Sequence, residues 1–182
     1  PQRLIPYVGL LSSVLGNIDT ENYDYEGLNN EISMYTGGVY TSPSIYGGKG
    51  PGQYYPCFEV SGRALLNNLD KMADLIKEML FTSKLEDKKR LKEIVDENVS
   101  RLQMSFNSSV SAVAVSRATS YFSEAGAFRE QVSGVDYYHF VRELSKDFSD
   151  QADQVIAALK ETAGFIFRKD NLMVDYTSTP EN

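Results

Sequence analysis

Residues 58–65 have the sequence Phe58-Glu59-Val60-Ser61-Gly62-Arg63-Ala64-Leu65, and this stretch decides the fold class. Its apolar side chains at Phe58, Val60 and Ala64 alternate with polar ones, which is the period of a strand with one buried face. We therefore predict a strand over residues 54–65. Residues 39–46, rich in β-branched and aromatic side chains, predict a second strand. The connection Gly47-Gly48-Lys49-Gly50-Pro51-Gly52 is too long for a tight turn, so we expect an antiparallel pair with an open, mobile loop.

Helical periodicity dominates the rest of the sequence. Apolar residues recurring every three or four positions predict helices over residues 4–15, 24–35, 67–81, 86–107 and 110–122, a short helix after Gly134, and another around 152–163. Residues 172–176 predict a third strand. Together these elements define an α+β fold, with an antiparallel sheet layered against several helices. Three strands are few for so many helices, so we expect further strands outside this sequence.

The clearest helical stripe lies in residues 67–81 and consists of Leu69, Met72, Ala73, Ile76, Met79 and Leu80. Full burial of such side chains contributes about 1.5–3 kcal/mol each. The stripe therefore predicts a firmly anchored helix. We expect Met72→Asp to collapse the domain, with loss of the melting transition as the check.

Composition limits the class of function. The 182 residues fit a single domain over 1–182, and apolar and charged contents of 42% and 24% are those of a globular protein. A net charge of −7 argues against nucleic-acid binding, which needs a basic surface. The basic run Lys88-Lys89-Arg90 alternates with Glu86, Asp87 and Glu93, which indicates a solvated helix face. No apolar stretch reaches the ~18–20 residues that span a bilayer, so we expect no membrane partner.

The cysteine count indicates the compartment. Cys57 is the sole cysteine, so an internal disulfide and a CxxC zinc site are both excluded. We expect a cytoplasmic protein, with an organelle matrix as the alternative. Cys57 itself is expected to be a small apolar filler of the predicted strand rather than a nucleophile.

Two further candidate sites are weak. A phosphate-binding loop needs its glycines to lead directly into a helix, whereas Gly50-Pro51-Gly52 leads into the predicted strand. His139, the only histidine, and Glu143 share one helix face and form a His-x-x-x-Glu pair. Because Arg142 and Lys146 flank them, we interpret the pair as a solvated surface pair. The 12 tyrosines and nine phenylalanines are expected mainly in the core, with a peptide-binding wall as the alternative.

A family resemblance rests on several short motifs in a fixed order. They are Pro6-Tyr7, Val14-Leu15, Asp24-Tyr25, Ile32, Thr36-Gly37-Gly38, Ser42-Pro43, residues 60–65, Arg117-Ala118 and Gly134. In this order they resemble the third domain of presequence-protease-like (falcilysin-like) peptidases, which belong to the insulinase and pitrilysin group of zinc metallopeptidases. The resemblance extends from residue 4 to about residue 176.

The resemblance implies a non-catalytic unit of a larger enzyme. In such peptidases, repeated α+β units enclose a chamber in which peptides are degraded, and the first unit carries an inverted His-x-x-Glu-His zinc motif. This sequence has no such motif and only one histidine. We therefore predict no catalytic, cofactor-binding or metal-binding residue in it; zinc belongs to the parent enzyme. The implied partners are other domains of the same parent chain and peptide substrates.

The resemblance also implies that residues 1–182 lack the leading strand and the C-terminal end of the unit. The start at Pro1 rather than at a methionine fits this expectation. Two other functions stay open on the sequence alone. One is a stand-alone structural or interaction module without a peptidase parent. The other is a small enzyme that uses His139 and Glu143.

Overall fold

Two strands and eight α-helices form in the part of the chain that the structure describes, residues 1–50 and 52–178 of a computed structural model. The elements are α1 Ile5–Val14, α2 Tyr25–Tyr35, β1 Val39–Gly47, β2 Tyr54–Gly62, α3 Leu69–Phe81, α4 Lys88–Ser108, α5 Val110–Thr119, α6 Glu124–Ser133, α7 Val135–Lys146 and α8 Phe148–Ile166. Short 3-10 helices occur at Gln2–Leu4, Leu66–Asn68 and Lys169–Asn171. The predicted α+β class, an antiparallel sheet packed against helices, is confirmed.

Local capping fixes several helix starts. The side chain of Asp24 accepts a hydrogen bond from the Gly27 N–H at 2.7 Å, and Asp87 accepts one from the Arg90 N–H at 2.9 Å. Such caps satisfy N–H groups that have no partner within the helix. The cap at Asp87 explains why α4 begins at Lys88, two residues later than predicted.

The sheet is an antiparallel ribbon in which Pro43 lies opposite Phe58. Phe58 and Val60 pack against the core, whereas Tyr40, Tyr46 and Tyr55 lie on the opposite face and are exposed. β2 ends at Gly62, three residues earlier than predicted, and the chain turns into the 3-10 helix Leu66–Asn68. A Cβ at Gly62 would lie 2.7 Å from the Met72 sulfur, so this glycine lets α3 approach the ribbon closely.

The core is built around α1. Leu10, Leu11 and Val14 are fully buried there, and residues of α2, α3, α4, α7 and α8 pack around them. Tyr7 and Phe140 add an edge-to-face contact between α1 and α7, with ring centroids 5.0 Å apart. A helix at the centre of the other helices explains the near-continuous apolar sequence of residues 4–15.

The predicted stripe on α3 is wrong in its centre. Leu75 and Met79 are the buried residues of this helix, Met72 is half-buried and Ala73 is exposed. The helix is thus rotated about its axis relative to the prediction, because the side that carries Leu75 faces the core. The expected collapse on Met72→Asp consequently loses its basis in full burial.

The predicted third strand at residues 172–176 is also wrong. This segment pairs with no strand in the described part of the chain, and its Met173 side chain is 91% exposed. A strand requires a neighbour to satisfy its backbone hydrogen bonds, and residues 1–50 and 52–178 supply none beside it.

The segment after α4 holds two helices where one broken helix was predicted. α5 ends at Thr119, and α6 begins at Glu124 with Ser123 as its cap, the Ser123 hydroxyl accepting from the Gly126 N–H at 3.2 Å. A Cβ at Gly126 would lie 2.9 Å from the Thr119 carbonyl oxygen. The glycine therefore lets the two helices turn against each other rather than breaking α6.

Candidate functional site

The outward face of the ribbon carries the most distinctive exposed chemistry. Tyr40, Tyr46 and Tyr55 are each more than half exposed, on one surface with Glu59. Glu59 Oε2 accepts hydrogen bonds from the hydroxyls of Ser44 and Tyr46, both at 2.9 Å. The bond to Glu59 raises the pKa of the Tyr46 hydroxyl, which therefore stays a neutral donor. This tyrosine face combines flat apolar rings with polar tips, a composition suited to extended peptides.

A shallow cavity of about 340 Å³ lies beside this face. Ser44, Ile45 and Tyr46 of β1 line it together with Arg129 and Ser133 of α6. Its polar groups are hydroxyls and one guanidinium, so it offers hydrogen-bond partners without a nucleophile and base in contact. The surroundings of the tyrosine face therefore support binding rather than bond cleavage.

A second, apolar groove of about 300 Å³ lies between α1, α3 and α8. Leu11, Leu80 and Phe167 are among its lining residues, and the ion pair between Glu86 and Lys160 stands at its rim. The hydrogen bond from Lys160 lowers the pKa of Glu86, which keeps the carboxylate charged. Catalysis would require a reactive side chain in this groove, and among its described lining residues the polar ones are Ser83 and the paired Glu86 and Lys160.

The pair His139 and Glu143 lies on the exposed side of α7. Glu143 Oε1 accepts a hydrogen bond from Lys146 Nζ at 2.7 Å, and this bond lowers the pKa of Glu143. The lysine thus occupies the carboxylate that a metal would need. Across residues 1–50 and 52–178, no three His, Cys, Asp or Glu side chains cluster in a way that could hold a metal ion.

The glycine-rich loop closes the hairpin. The Gly48 N–H donates to the Gln53 carbonyl at 2.8 Å, and β2 begins directly afterwards at Tyr54. Pro51 lies outside the described residues. A strand rather than a helix follows the loop, so a helix N-terminus for a phosphate is missing from this described part.

The expectation that Cys57 fills an apolar space is wrong, since its side chain is exposed. Cys57 lies opposite Ser44 in the ribbon, and the register places both on the outward face with Glu59. The alternation that put Phe58 toward the core already places its neighbour Cys57 on the other side. The sequence therefore contained the signal for its exposure.

The basic run on α4 is largely neutralised by acidic neighbours. Lys88 forms an ion pair with Asp153 at 2.7 Å, and Arg90 with Glu93 at 3.0 Å, while the Arg90 guanidinium stacks 4.0 Å from the Tyr25 ring centroid. Charges paired in this way form no continuous positive surface for phosphates. Among the described residues, no helix combines the length and hydrophobicity that a membrane crossing requires.

A buried ionic cluster that sequence analysis missed joins α5, α6 and α7. Glu130 is only 2% exposed, and its Oε1 accepts from Arg117 Nη1 at 2.7 Å. The same oxygen accepts from the backbone N–H groups of Val135 at 2.8 Å and Asp136 at 3.2 Å, so Glu130 caps the start of α7. Arg117 also donates to Asp136 at 2.6 Å, and these two carboxylates raise its pKa further. The cluster fully pairs its charges, which is typical of structural rather than catalytic groups.

A second buried network holds α4, α7 and α1 together. Asn98 Nδ2 donates to the Tyr137 hydroxyl at 2.8 Å and to the Ser13 hydroxyl at 3.1 Å, while Arg101 donates to Asn98 Oδ1 at 2.8 Å. Burial raises the pKa of Tyr137 to about 12. A neutral phenol whose partners are all engaged fastens the helices and is a poor proton donor near neutral pH.

The geometry thus defines a helical α+β domain with a peptide-compatible surface and no assembled reactive group among its described residues. The chain belongs to the family described as peptidase-associated, of subfamily C in family sixteen of the metallopeptidases, whose model matches residues 1–144. The resemblance to presequence-protease-like peptidases is thereby confirmed.

Several curated proteins are similar to this chain over nearly all of its length. Protein HypA of Clostridium perfringens (strain 13 / Type A) is 34% identical over 182 residues, covering 100% of this chain and 18% of HypA. Presequence protease 1, chloroplastic/mitochondrial, of Arabidopsis thaliana is 24% identical over 97% of this chain and 16% of the relative. The mitochondrial presequence protease of Drosophila melanogaster is 26% identical over 90% of this chain and 16% of the relative. The chain therefore spans less than a fifth of the length of these relatives.

Proposed function

We propose that this chain is a non-catalytic domain of a larger zinc-dependent peptidase, in which it forms part of the wall of a closed, peptide-degrading chamber. The family match over residues 1–144 carries the proposal, since that family is described as associated with a peptidase. The names of the relatives, presequence proteases among them, support a peptidase parent.

Zinc would be held by another part of the parent polypeptide. The residues described here do not fit a zinc site, since His139 is exposed and Lys146 engages the carboxylate of Glu143. Structural and catalytic zinc sites in proteins use at least three protein ligands. The chain alone is accordingly proposed to be inactive.

The contribution of this chain would be to bind and hold the peptide. Tyr40, Tyr46 and Tyr55 present rings and hydroxyls on one rigid two-stranded surface, a good base for contacts to an extended chain. Such contacts position a peptide and shield it from water while the chamber is closed. The partners are therefore peptide substrates and the other domains of the same polypeptide, without nucleic acid or membrane.

The domain would also contribute to a larger sheet. Residues 1–182 are proposed to form one repeat unit that lacks its leading strand and its C-terminal end, and the unpaired segment 172–176 supports this. The compartment is proposed to be the cytoplasm, with an organelle matrix as the alternative that the mitochondrial and chloroplastic names favour.

A stand-alone interaction module is the second candidate. The exposed apolar side chains of α5, such as Val110 and Val115, favour it because they suit contact with another protein. The two candidates differ in whether the gene that encodes this chain also encodes a zinc motif and a peptidase.

The test compares the full-length polypeptide with the chain alone on a quenched fluorogenic peptide. We expect cleavage by the full-length protein, its loss with a chelator, and none by the chain alone. Full-length protein without cleavage would refute the peptidase parent, and chelator-sensitive cleavage by the chain alone would refute the non-catalytic role.

The wall role is tested by substitution in the full-length protein. Tyr46→Ala with Tyr55→Ala should raise KM for the peptide several-fold at nearly constant kcat. Phe165→Ala removes a similarly exposed aromatic ring from α8 and is the matched control. Equal KM values for the double variant and the control would contradict the role of the tyrosine face.

A further inference from the structure

α5 is apolar in sequence yet buries none of its side chains against the described part of the chain. Its ten residues, Val-Ser-Ala-Val-Ala-Val-Ser-Arg-Ala-Thr, include one charged side chain, that of Arg117. Val110 and Val115 are each 67% exposed. A helix normally draws its stability from the burial of an apolar face, so this exposure needs an explanation.

The two sides of α5 differ in what they contact. Helical spacing puts Val113, Ser116 and Arg117 on one side, and these are the half-buried residues that face the rest of the domain. The opposite side carries Val110, Ala114, Val115 and Ala118, all exposed.

The ionic cluster fixes this orientation. Arg117 is bound to Glu130 at 2.7 Å and to Asp136 at 2.6 Å, which attaches α5 to α6 and α7 through its polar side. Rotation of the helix to bury its valines would break both ion pairs and leave the carboxylate of Glu130 buried without its cation. The fold therefore holds the apolar side outward.

Two aromatic residues extend the apolar side beyond the helix. Tyr121 and Phe122 follow α5 directly and are 77% and 80% exposed. Single exposed apolar side chains are common, but a contiguous group usually marks a contact surface. We name the set formed by Val110, Ala114, Val115, Ala118, Tyr121 and Phe122 the α5 face.

Charge and chain length indicate what covers the α5 face. Its only charged neighbour on the helix, Arg117, is already paired, so the complementary surface is apolar. Two copies of the chain would each bring a net charge of −7, which opposes their association. More than four-fifths of the length of each relative reported above lies outside the matched segment. A segment on the same polypeptide also gains the high effective concentration of a tethered partner.

We propose that the α5 face is the surface on which an apolar part of the same, longer polypeptide packs. This inference rests on the proposed function in one respect, the existence of that longer polypeptide, and is independent of its catalytic activity. It assigns a domain contact to six residues of this chain.

The test measures side-chain solvent access by hydroxyl-radical footprinting of the full-length polypeptide. The oxidation rates of Tyr121 and Phe122 in the native protein are divided by their rates in urea. We expect these ratios to fall several-fold below that of Met34, which is 68% exposed on α2 and serves as the reference. The protection should persist on dilution to concentrations at which light scattering shows a monomer.

A substitution pair supplies a second readout. Val115→Asp in the full-length protein should lower the melting temperature, whereas Ala112→Asp, at an exposed position off the α5 face, should change it little. Ratios equal to that of Met34 would overturn the proposal, and protection lost on dilution would overturn it in favour of a second copy. Peptide cleavage is assayed separately, so an inactive protein with a protected α5 face would refute the proposed function and leave this inference standing.

Discussion

Ser12 and Thr41 exchange two hydrogen bonds, each side-chain hydroxyl donating to the backbone carbonyl of the other residue at 3.1 Å. Ser12 belongs to the central helix α1 and Thr41 to strand β1. The pair therefore fastens the ribbon to the core and fixes which face of the ribbon carries the tyrosines.

Replacing the Ser12–Thr41 pair should reveal coupling between helix and ribbon. We expect Ser12→Ala and Thr41→Val each to lower the free energy of unfolding by about 0.5–1.5 kcal/mol. The double variant should lose less than the sum, because each bond loses its context when the other is removed. Urea unfolding of the four proteins measures this, and strictly additive losses would contradict the coupling.

The core of α3 should respond at Leu75 more than at Met72. Leu75 is buried, so Leu75→Ala should cost about 2–5 kcal/mol in the free energy of unfolding. Met72 is half-buried, and Met72→Ala should cost clearly less. Thermal and urea unfolding compare the two variants, and a larger loss at Met72 would mean that α3 is oriented as the sequence pattern predicted.

Glu130 should be the most sensitive carboxylate in the domain. Glu130→Gln keeps an oxygen for the N–H groups at the start of α7 but removes the charge that binds Arg117. We expect a loss of about 2 kcal/mol, the usual contribution of a hydrogen bond to a charged group. Glu124→Gln, an exposed position on the same helix, is the control and should change the unfolding midpoint little. Equal midpoints for both variants would show that the ionic cluster does not stabilise α5.

Glu78 should contribute to acid sensitivity. Partial burial acts to raise its pKa, but hydrogen bonds led by the backbone N–H and side chain of Asn22, at 2.8 and 3.0 Å, outweigh burial and lower the pKa to about 2. A depressed pKa gives stability that is present above the ordinary value near 4.5 and is lost as pH falls toward 2.

The matching experiment follows the free energy of unfolding between about pH 5 and pH 2. Glu78→Gln should flatten the decline in this range, and Glu21→Gln, an exposed residue of the same loop, should leave it unchanged. A decline as steep in Glu78→Gln as in the unmodified chain would rule out this carboxylate as a source.

Local patterns predicted what neighbouring residues determine. Alternation over residues 58–60 places Phe58 and Val60 on the core side, and Gly38 adopts φ +114° just past the end of α2, as glycine at a helix end favours. Helical periodicity likewise located most helices to within two or three residues of their ends. These features depend on the steric preferences of short segments.

Features set by distant contacts could not be predicted in this way. The rotation of α3 that buries Leu75 depends on the helices beside it, and the stripe at Met72 had a similar apolar content. The pairing of Arg117 with Glu130 depends on the turn between α5 and α6, which the sequence suggested only through Gly126. Segment 172–176 has the composition of a strand, but a strand also needs a partner, and composition does not provide one.

The exposed thiol on the ribbon has a practical consequence. Because Cys57 is the sole cysteine and lies on the outward face beside the tyrosines, a maleimide dye attaches there without engineered mutations. Fluorescence anisotropy or quenching at this position would then report directly on a peptide that approaches the sheet. The native sequence therefore already carries its own spectroscopic probe for the surface to which we assign peptide contact.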